Sequence, residues 1–255
     1  MTEKWAGKVA VITGTSAGIG AALFKDFANA GIITIGLARR AEKVEDLIKE
    51  LGGDVKAYAY KCDVSSPESV TETFKAIEEK FGVVHILVNN AGVGRSTSIF
   101  DESPEAFRKM NEILDTNVRG LAHCSREAFR LMKKSDDYGM IININSVIGH
   151  QLPFTGFSMS MYGASKYAVT ALTETMRQEM LIQENSKIRM SSVSPGYVNT
   201  EFVVAAGFVP DSTTVLEGFP YLVGDDVSKA VMYLLSTPYN VNVTELTIRP
   251  VGEKF

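Results

Sequence analysis

Val9-Ala10-Val11-Ile12-Thr13-Gly14-Thr15-Ser16-Ala17-Gly18-Ile19-Gly20 is the stretch that decides how this chain folds. Its first five residues are a short, largely β-branched run, the composition of a buried strand. Gly14 ends the run at once, and Gly18 and Gly20 follow within the same turn. From Ile19 to Asn29, Leu23, Phe27 and Ala28 recur at helical spacing until Gly31 stops the pattern. A strand, a glycine-rich turn and a helix in that order make an anion-binding unit. The helix aims free N–H groups and a partial positive charge at the turn, and the glycines let a pyrophosphate come close to the backbone.

Outward from this unit the chain keeps alternating. Ile33 to Ala38 reads as a strand, Ala41 to Leu51 as a charged helix closed by Gly52-Gly53, and Val55 to Val64 as a third strand. Ser66-Pro67 starts a helix running to about Phe81. Then come a strand at Ile86 to Val88, a long helical region at Pro104 to Lys134, and a strand at Met140 to Asn145. A helix at Met161 to Glu184, a strand at Ile188 to Val193, a helix at Asp225 to Leu235 and a strand at Glu245 to Ile248 complete the series. Seven strands, mostly continuous in apolar content, imply a sheet covered on both faces. Strand–helix alternation implies parallel pairing with right-handed crossovers, so the expected fold is a doubly wound α/β domain. No composition break marks a second domain, and 1–255 reads as one unit. The one long irregular stretch, Asn199 to Gly224, is the expected lid or binding loop.

Composition narrows the function. The chain has 255 residues, 45% of them hydrophobic and 22% charged, with a formal net charge of −4, which does not suit a general nucleic-acid binder. Cys62 and Cys124 are far apart in apolar surroundings, and His85, His123 and His150 show no ligand spacing, so no metal is expected. No apolar stretch approaches the ~20 residues needed to cross a bilayer. Met1-Thr2-Glu3-Lys4-Trp5 has no signal-peptide character and Glu253-Lys254-Phe255 is no address label, so a cytoplasmic setting is expected.

The glycine spacing is G-x-x-x-G-x-G, preceded by Thr13. Further signals stand in order behind it: Asp63-Val64, Asn89-Asn90-Ala91-Gly92, Asn117, Ser146, Tyr162-Gly163-Ala164-Ser165-Lys166, Pro195-Gly196 and Thr200. In these motifs, across nearly its whole length, the chain resembles the short-chain dehydrogenase/reductase family. The resemblance implies a Rossmann fold with a seven-stranded parallel sheet and helices on both faces. It also implies that Gly14, Ser16, Gly18, Ile19, Gly20, Asp63, Val64, Asn90, Ala91, Gly92, Pro195, Gly196, Val198 and Thr200 face a nicotinamide dinucleotide.

The second strand ends Gly36-Leu37-Ala38-Arg39-Arg40, with no carboxylate where one would hydrogen-bond an adenosine ribose. An arginine fork suits a 2′-phosphate by charge and geometry, so NADP(H) is the expected cofactor, held there by Arg39 and Arg40.

Tyr162 and Lys166 are four apart on one helix, hence on one face. A free tyrosine titrates near ~10, and bringing it to roughly 7 takes about 4 kcal/mol of preference for the phenolate. A nearby ammonium together with the positive nicotinamide ring could supply that. The resemblance implies that Tyr162 is the acid–base group, Ser146 holds the substrate oxygen, Lys166 grips the nicotinamide ribose and Asn117 positions a water. Ser158, Ser160 and Ser165 are rival serines, but none follows the fifth strand. Ser146 and Tyr162 are sixteen positions apart, longer than the family's commoner spacing, and the extra residues fall within Gln151 to Met161.

Val93 to Thr97, Val147 to Met161 and Tyr197 to Leu222 are the expected walls of the substrate cleft. They hold Phe154, Phe157, Met159, Met161, Tyr197, Phe202, Phe208, Phe219 and Tyr221 and few charges, which suits a hydrophobic ligand. The loop region is set at about 197–224. Ile142-Asn143-Ile144-Asn145-Ser146, residues 167–174 and Ser236-Thr237-Pro238 resemble an animal subgroup that includes insect NADP-dependent farnesol dehydrogenases and vertebrate ketosteroid and carbonyl reductases. A terpenoid alcohol or aldehyde is the expected substrate, with steroid or general carbonyl reduction as the alternative. Two other classes compete. One is an NADP-binding regulator without turnover, against which the complete set Asn117, Ser146, Tyr162 and Lys166 speaks. The other is an acyl-thioester reductase, whose basic entrance the acidic balance does not favour, the patch around Arg126, Arg130, Lys133 and Lys134 reading as a solvated helix face. The resemblance also implies a homodimer or homotetramer.

Overall fold

The structure, a computed structural model, describes residues 2–153, 158–208 and 219–254. Seven strands form one parallel sheet: β1 (Val9–Thr13), β2 (Ile33–Ala38), β3 (Ala57–Lys61), β4 (Ile86–Asn89), β5 (Gly139–Ile144), β6 (Ile188–Pro195) and β7 (Glu245–Ile248). Their order is β3-β2-β1-β4-β5-β6-β7. β1 pairs with β2 on one side, Val9 opposite Ile33, and with β4 on the other, Ala10 opposite Ile86. The strand order reverses between β1 and β4, the place where open α/β sheets leave a crevice at their carboxyl ends.

Helices cover both faces, as the continuous apolar strands predict. Ala10 and Ile12 point into one core with Leu23, Phe24 and Phe27 of α1 (Gly18–Asn29), Val44 of α2 (Ala41–Leu51) and Val227, Val231, Leu234 and Leu235 of α8 (Gly224–Ser236). Val9 and Val11 point into the other. There they meet Val70, Phe74 and Ile77 of α3 (Pro67–Phe81), Cys124, Ala128 and Leu131 of α5 (Leu121–Met132) and Met180 of α6 (Met161–Ile182). Trp5 is wholly buried and its indole N–H donates to Leu235 O at 2.8 Å, so the first turn of the chain is sealed against the last helix. Lys4 reinforces the seal by donating to Thr237 O.

Helix starts follow the local chemistry. Ser66 accepts from Ser69 N–H ahead of Pro67, and Ser103 accepts from Ala106 N–H ahead of Pro104, which opens α4 (Pro104–Leu114).

Two expectations need correction. The third strand is shorter than Val55 to Val64, because Asp63 turns back to accept from Ser65 N–H and Oγ at 3.0 and 2.7 Å and the chain leaves the sheet edge. The long helix from Pro104 is interrupted by a π-helical turn at Asp115–Gly120, the stretch from which the Asn117 side chain bonds to Val93 and Ser165. Short helices at Glu3–Trp5, Val147–Gly149 and α7 (Glu201–Ala205) have no counterpart in the sequence reading.

Candidate active site

A parallel sheet ends all its strands on one side, and here those ends share one cavity. The residue following each of the first six strands (Gly14, Arg39, Cys62, Asn90, Asn145 and Gly196) lines a space of about 870 Å³. Of the residues expected to face a dinucleotide, Ser16, Gly18, Ile19, Arg40, Asp63, Val64, Ala91, Gly92, Pro195, Val198 and Thr200 also stand on its wall.

Gly20 does not. A Cβ there would lie 2.2 Å from Gly14 O and 2.5 Å from Asn90 Nδ2, so this glycine lets α1 close onto the turn rather than touch a ligand. Asn90 ties the same turn to β4: its amide donates to Thr13 O at 2.9 Å and Gly14 O at 3.1 Å, while Thr13 Oγ1 accepts from Asn90 and Ala91 N–H at 3.0 Å. At the head of α1, Ala17 offers no side-chain cap, so the first N–H groups of a twelve-residue helix open on the cavity.

Arg39 and Arg40 are exposed at the cavity's edge, just beyond β2. The Arg40 guanidinium donates to Ser16 Oγ at 3.3 Å and lies 3.8 Å from the Glu201 carboxylate. Arg95 also lines the wall, and Glu112 pairs with it at 3.0 Å.

Ser146, Tyr162 and Lys166 come together at the floor. Ser146 follows β5, and its Oγ accepts from Ile148 N–H at 3.2 Å. Tyr162 lies in the first turn of α6, and one turn on, the Lys166 Nζ is 5.8 Å from its ring centre and donates to Ile144 O at 2.9 Å. Burial pushes the Tyr162 phenol above its ordinary value, with the Ser146 hydroxyl pulling the other way. Burial also lowers Lys166 to about 8. The protein's own groups therefore hold the tyrosine neutral. In this balance loss of solvent outweighs the Ser146 hydroxyl.

Asn117 stands off the cavity wall, which Thr116 reaches instead. Its Oδ1 accepts from Val93 N–H at 2.8 Å and its Nδ2 donates to Val93 O at 2.9 Å and Ser165 Oγ at 3.0 Å. Both amide hydrogens are engaged by protein, so this side chain fixes the loop after β4.

Among the rival serines, Ser165 is locked between Asn117 and Tyr162 O, and Ser158 donates to Thr97 O. Ser160 precedes α6 at φ 49°, and its hydroxyl has no partner among the described residues.

Of the expected apolar walls, Met159, Tyr197, Phe202, Phe208 and Phe219 line the cavity; Met161 and Tyr221 are not on it, and Phe154 and Phe157 lie outside the described residues. Phe202 and Phe208 lean over Tyr162 with ring centres 5.5 and 5.8 Å away. Val147 and Ile148 line the site as expected, and Leu37, Ala38, Cys62, Thr116, Ile144 and Asn145 line it without having been expected there from sequence. The strand-end rule points to most of them, since they flank strand termini that were already located.

Among the described residues there is no cluster of three metal-ligating side chains, and no helix is long and apolar enough to cross a membrane. Cys62 and Cys124 are buried, with thiols pushed up by loss of solvent. His85 has a structural place, its Nδ1 accepting from Val9 N–H at 3.1 Å.

A buried phenol, a hydroxyl and an ammonium at the floor of a nucleotide-sized cleft are the parts of a proton-transfer site. The family model described as short chain dehydrogenase matches residues 8–207. The chain is 49% identical to a farnesol dehydrogenase of Aedes aegypti over 99% of its own length and 100% of the relative's. It is 37% identical to dehydrogenase/reductase SDR family member 11 of Mus musculus, covering 98% of this chain and 97% of that one. Among solved structures, the closed form of a serine dehydrogenase complexed with NADP+ superposes with a TM-score of 0.85 at 26% identity, over 97% of this chain and 96% of the other.

Proposed function

This chain belongs to the short-chain dehydrogenase family of oxidoreductases, and we propose that it is an NADP-dependent dehydrogenase/reductase acting on a hydrophobic alcohol or carbonyl compound, with a terpenoid such as farnesol or farnesal as substrate. The observation that carries this reading is the placement of Tyr162 under Phe202 and Phe208, in one cavity with two exposed arginines at its edge. The farnesol dehydrogenase relative, matched end to end, supports the terpenoid. The whole of 1–255 is taken to work as one dinucleotide-binding and catalytic unit, with a substrate-binding loop region at about 197–224.

The residues present fit the cofactor. The uncapped head of α1 offers N–H groups to a pyrophosphate, and Arg39 and Arg40 offer a guanidinium pair to a 2′-phosphate with no competing acid at the end of β2. When bound, the nicotinamide supplies or accepts the hydride. The chain handles the proton. Ser146 Oγ donates to the substrate oxygen and orients it toward the Tyr162 hydroxyl, which gives up a proton in reduction and takes one in oxidation. Lys166, held by Ile144 O, keeps a cation behind the phenol as charge shifts onto it. The phenylalanines exclude water and bury an isoprenoid chain.

The test follows absorbance at 340 nm with farnesol and farnesal, comparing NADP(H) with NAD(H) and wild type with Tyr162→Phe. We expect NADP-preferring turnover that falls about 10³-fold in the variant, within the range for a general acid–base group. Turnover that survives Tyr162→Phe, or that prefers NAD, would overturn the reading.

A further inference from the structure

Glu253 lies beyond β7, almost at the end of the chain, yet its side chain is only 2% exposed. One carboxylate oxygen accepts from Tyr197 N–H at 2.8 Å, and the other pairs with Arg249 Nη1 at 2.7 Å. A Cβ built on Gly196 would stand 2.5 Å from both oxygens, so the carboxylate fills the space that this glycine leaves open. The tail bends to reach it: Glu253 N–H donates to Pro250 O at 3.2 Å, and Gly252 adopts φ 89°. A buried carboxylate is costly unless it is paired and hydrogen-bonded, and this one is both.

The turn it grips forms part of the cleft. Gly196 and Tyr197, with Val198 and Thr200 just after them, line the cavity beside the head of α1. Other bonds hold the turn elsewhere: Gly196 N–H donates to Ile248 O, and Leu222 N–H donates to Tyr197 O, both at 2.8 Å. The bond from Tyr197 N–H to Glu253 is where the tail reaches this wall. The Tyr197 hydroxyl is also shut away from solvent without a partner among the described residues, so side-chain bonding does little to fix this residue.

We propose that Glu253 is a positioning residue for the cofactor-facing turn at 195–198, so that the last residues of the chain set the affinity for NADP(H). The proposal rests on the reading of the cavity given above.

NADPH binding to the full chain, measured by titration calorimetry, tests it together with the steady-state constants. Glu253→Ala should weaken NADPH binding about tenfold and raise KM for NADP by a similar factor, the scale of one lost charge-assisted hydrogen bond, with kcat at saturation within about twofold. Glu253→Gln keeps an acceptor for Tyr197 N–H and should recover most of the affinity. Lys254→Ala, on an exposed neighbour, should leave both constants alone. Binding by Glu253→Ala within twofold of wild type, whatever its melting temperature, would overturn the inference alone. Failure of the wild-type chain to bind NADPH would overturn both the inference and the functional reading beneath it.

Discussion

Lys166 Nζ stands 5.8 Å from the centre of the Tyr162 ring, and both side chains are buried. Loss of water acts on them in opposite senses, lowering the lysine to about 8 and raising the tyrosine. Below about pH 8 the lysine is charged in folded and unfolded chains alike. Between there and 10.5 the unfolded chain holds the extra proton, so this group makes the fold more stable as pH rises. Above about pH 10 the unfolded tyrosine ionises while the folded one resists, and that group makes stability fall.

Denaturant titrations of wild type and Lys166→Met should therefore diverge with pH. Wild type should gain roughly 2 kcal/mol between pH 7 and 10 that Lys166→Met does not. Parallel pH curves for the two proteins would show that the ammonium carries no burial cost.

Gly20→Ala should damage the fold more than the cofactor site, since the new Cβ meets backbone at Gly14 O. A loss of about 1–3 kcal/mol in urea unfolding is expected, the usual cost of forced overpacking. Unchanged stability with lost NADPH binding would contradict this placement.

Arg39→Asp puts a carboxylate where the second strand ends and should swing preference from NADP toward NAD by about 100-fold in the ratio of kcat/KM values. The check is the same 340 nm assay with each cofactor at limiting concentration. An unchanged ratio would shift phosphate recognition to Arg40, which already contacts Ser16 and Glu201.

Phe202→Ala removes one ring from over Tyr162. KM for farnesol should rise about tenfold, in line with part of an aromatic side chain's burial, and a short-chain alcohol should respond much less. An equal effect on both alcohols would make Phe202 a support for Tyr162 rather than a wall for the substrate.

What the sequence made legible, and what it did not, divides along physical lines. β1, the glycine turn and α1 are plain because strand composition, glycine and helical spacing act within a few residues of one another. Ser146, Tyr162 and Lys166 fall where the motifs put them because strand ends and helix faces carry them to one cavity. The π-turn at Asn117 left no periodic trace, as its side chain bonds to Val93 and Ser165, 24 and 48 positions away. Glu253 was equally opaque: an acid two residues before Phe255 reads as a solvated tail until β7 folds it against Gly196.

The contact between Trp5 and Leu235 bears on how the protein is made. Their hydrogen bond spans 230 positions, so nearly the whole chain must leave the ribosome before the indole has its carbonyl. β1 likewise waits for residues 86–88 before its second edge is covered. Until those residues emerge β1 is an open strand edge, and until Leu235 emerges Trp5 is an aromatic side chain in search of its partner, the kind of surface that aggregates or recruits chaperones. An extension fused ahead of Trp5 should therefore lower the yield of folded protein more than the same extension placed within an exposed surface loop.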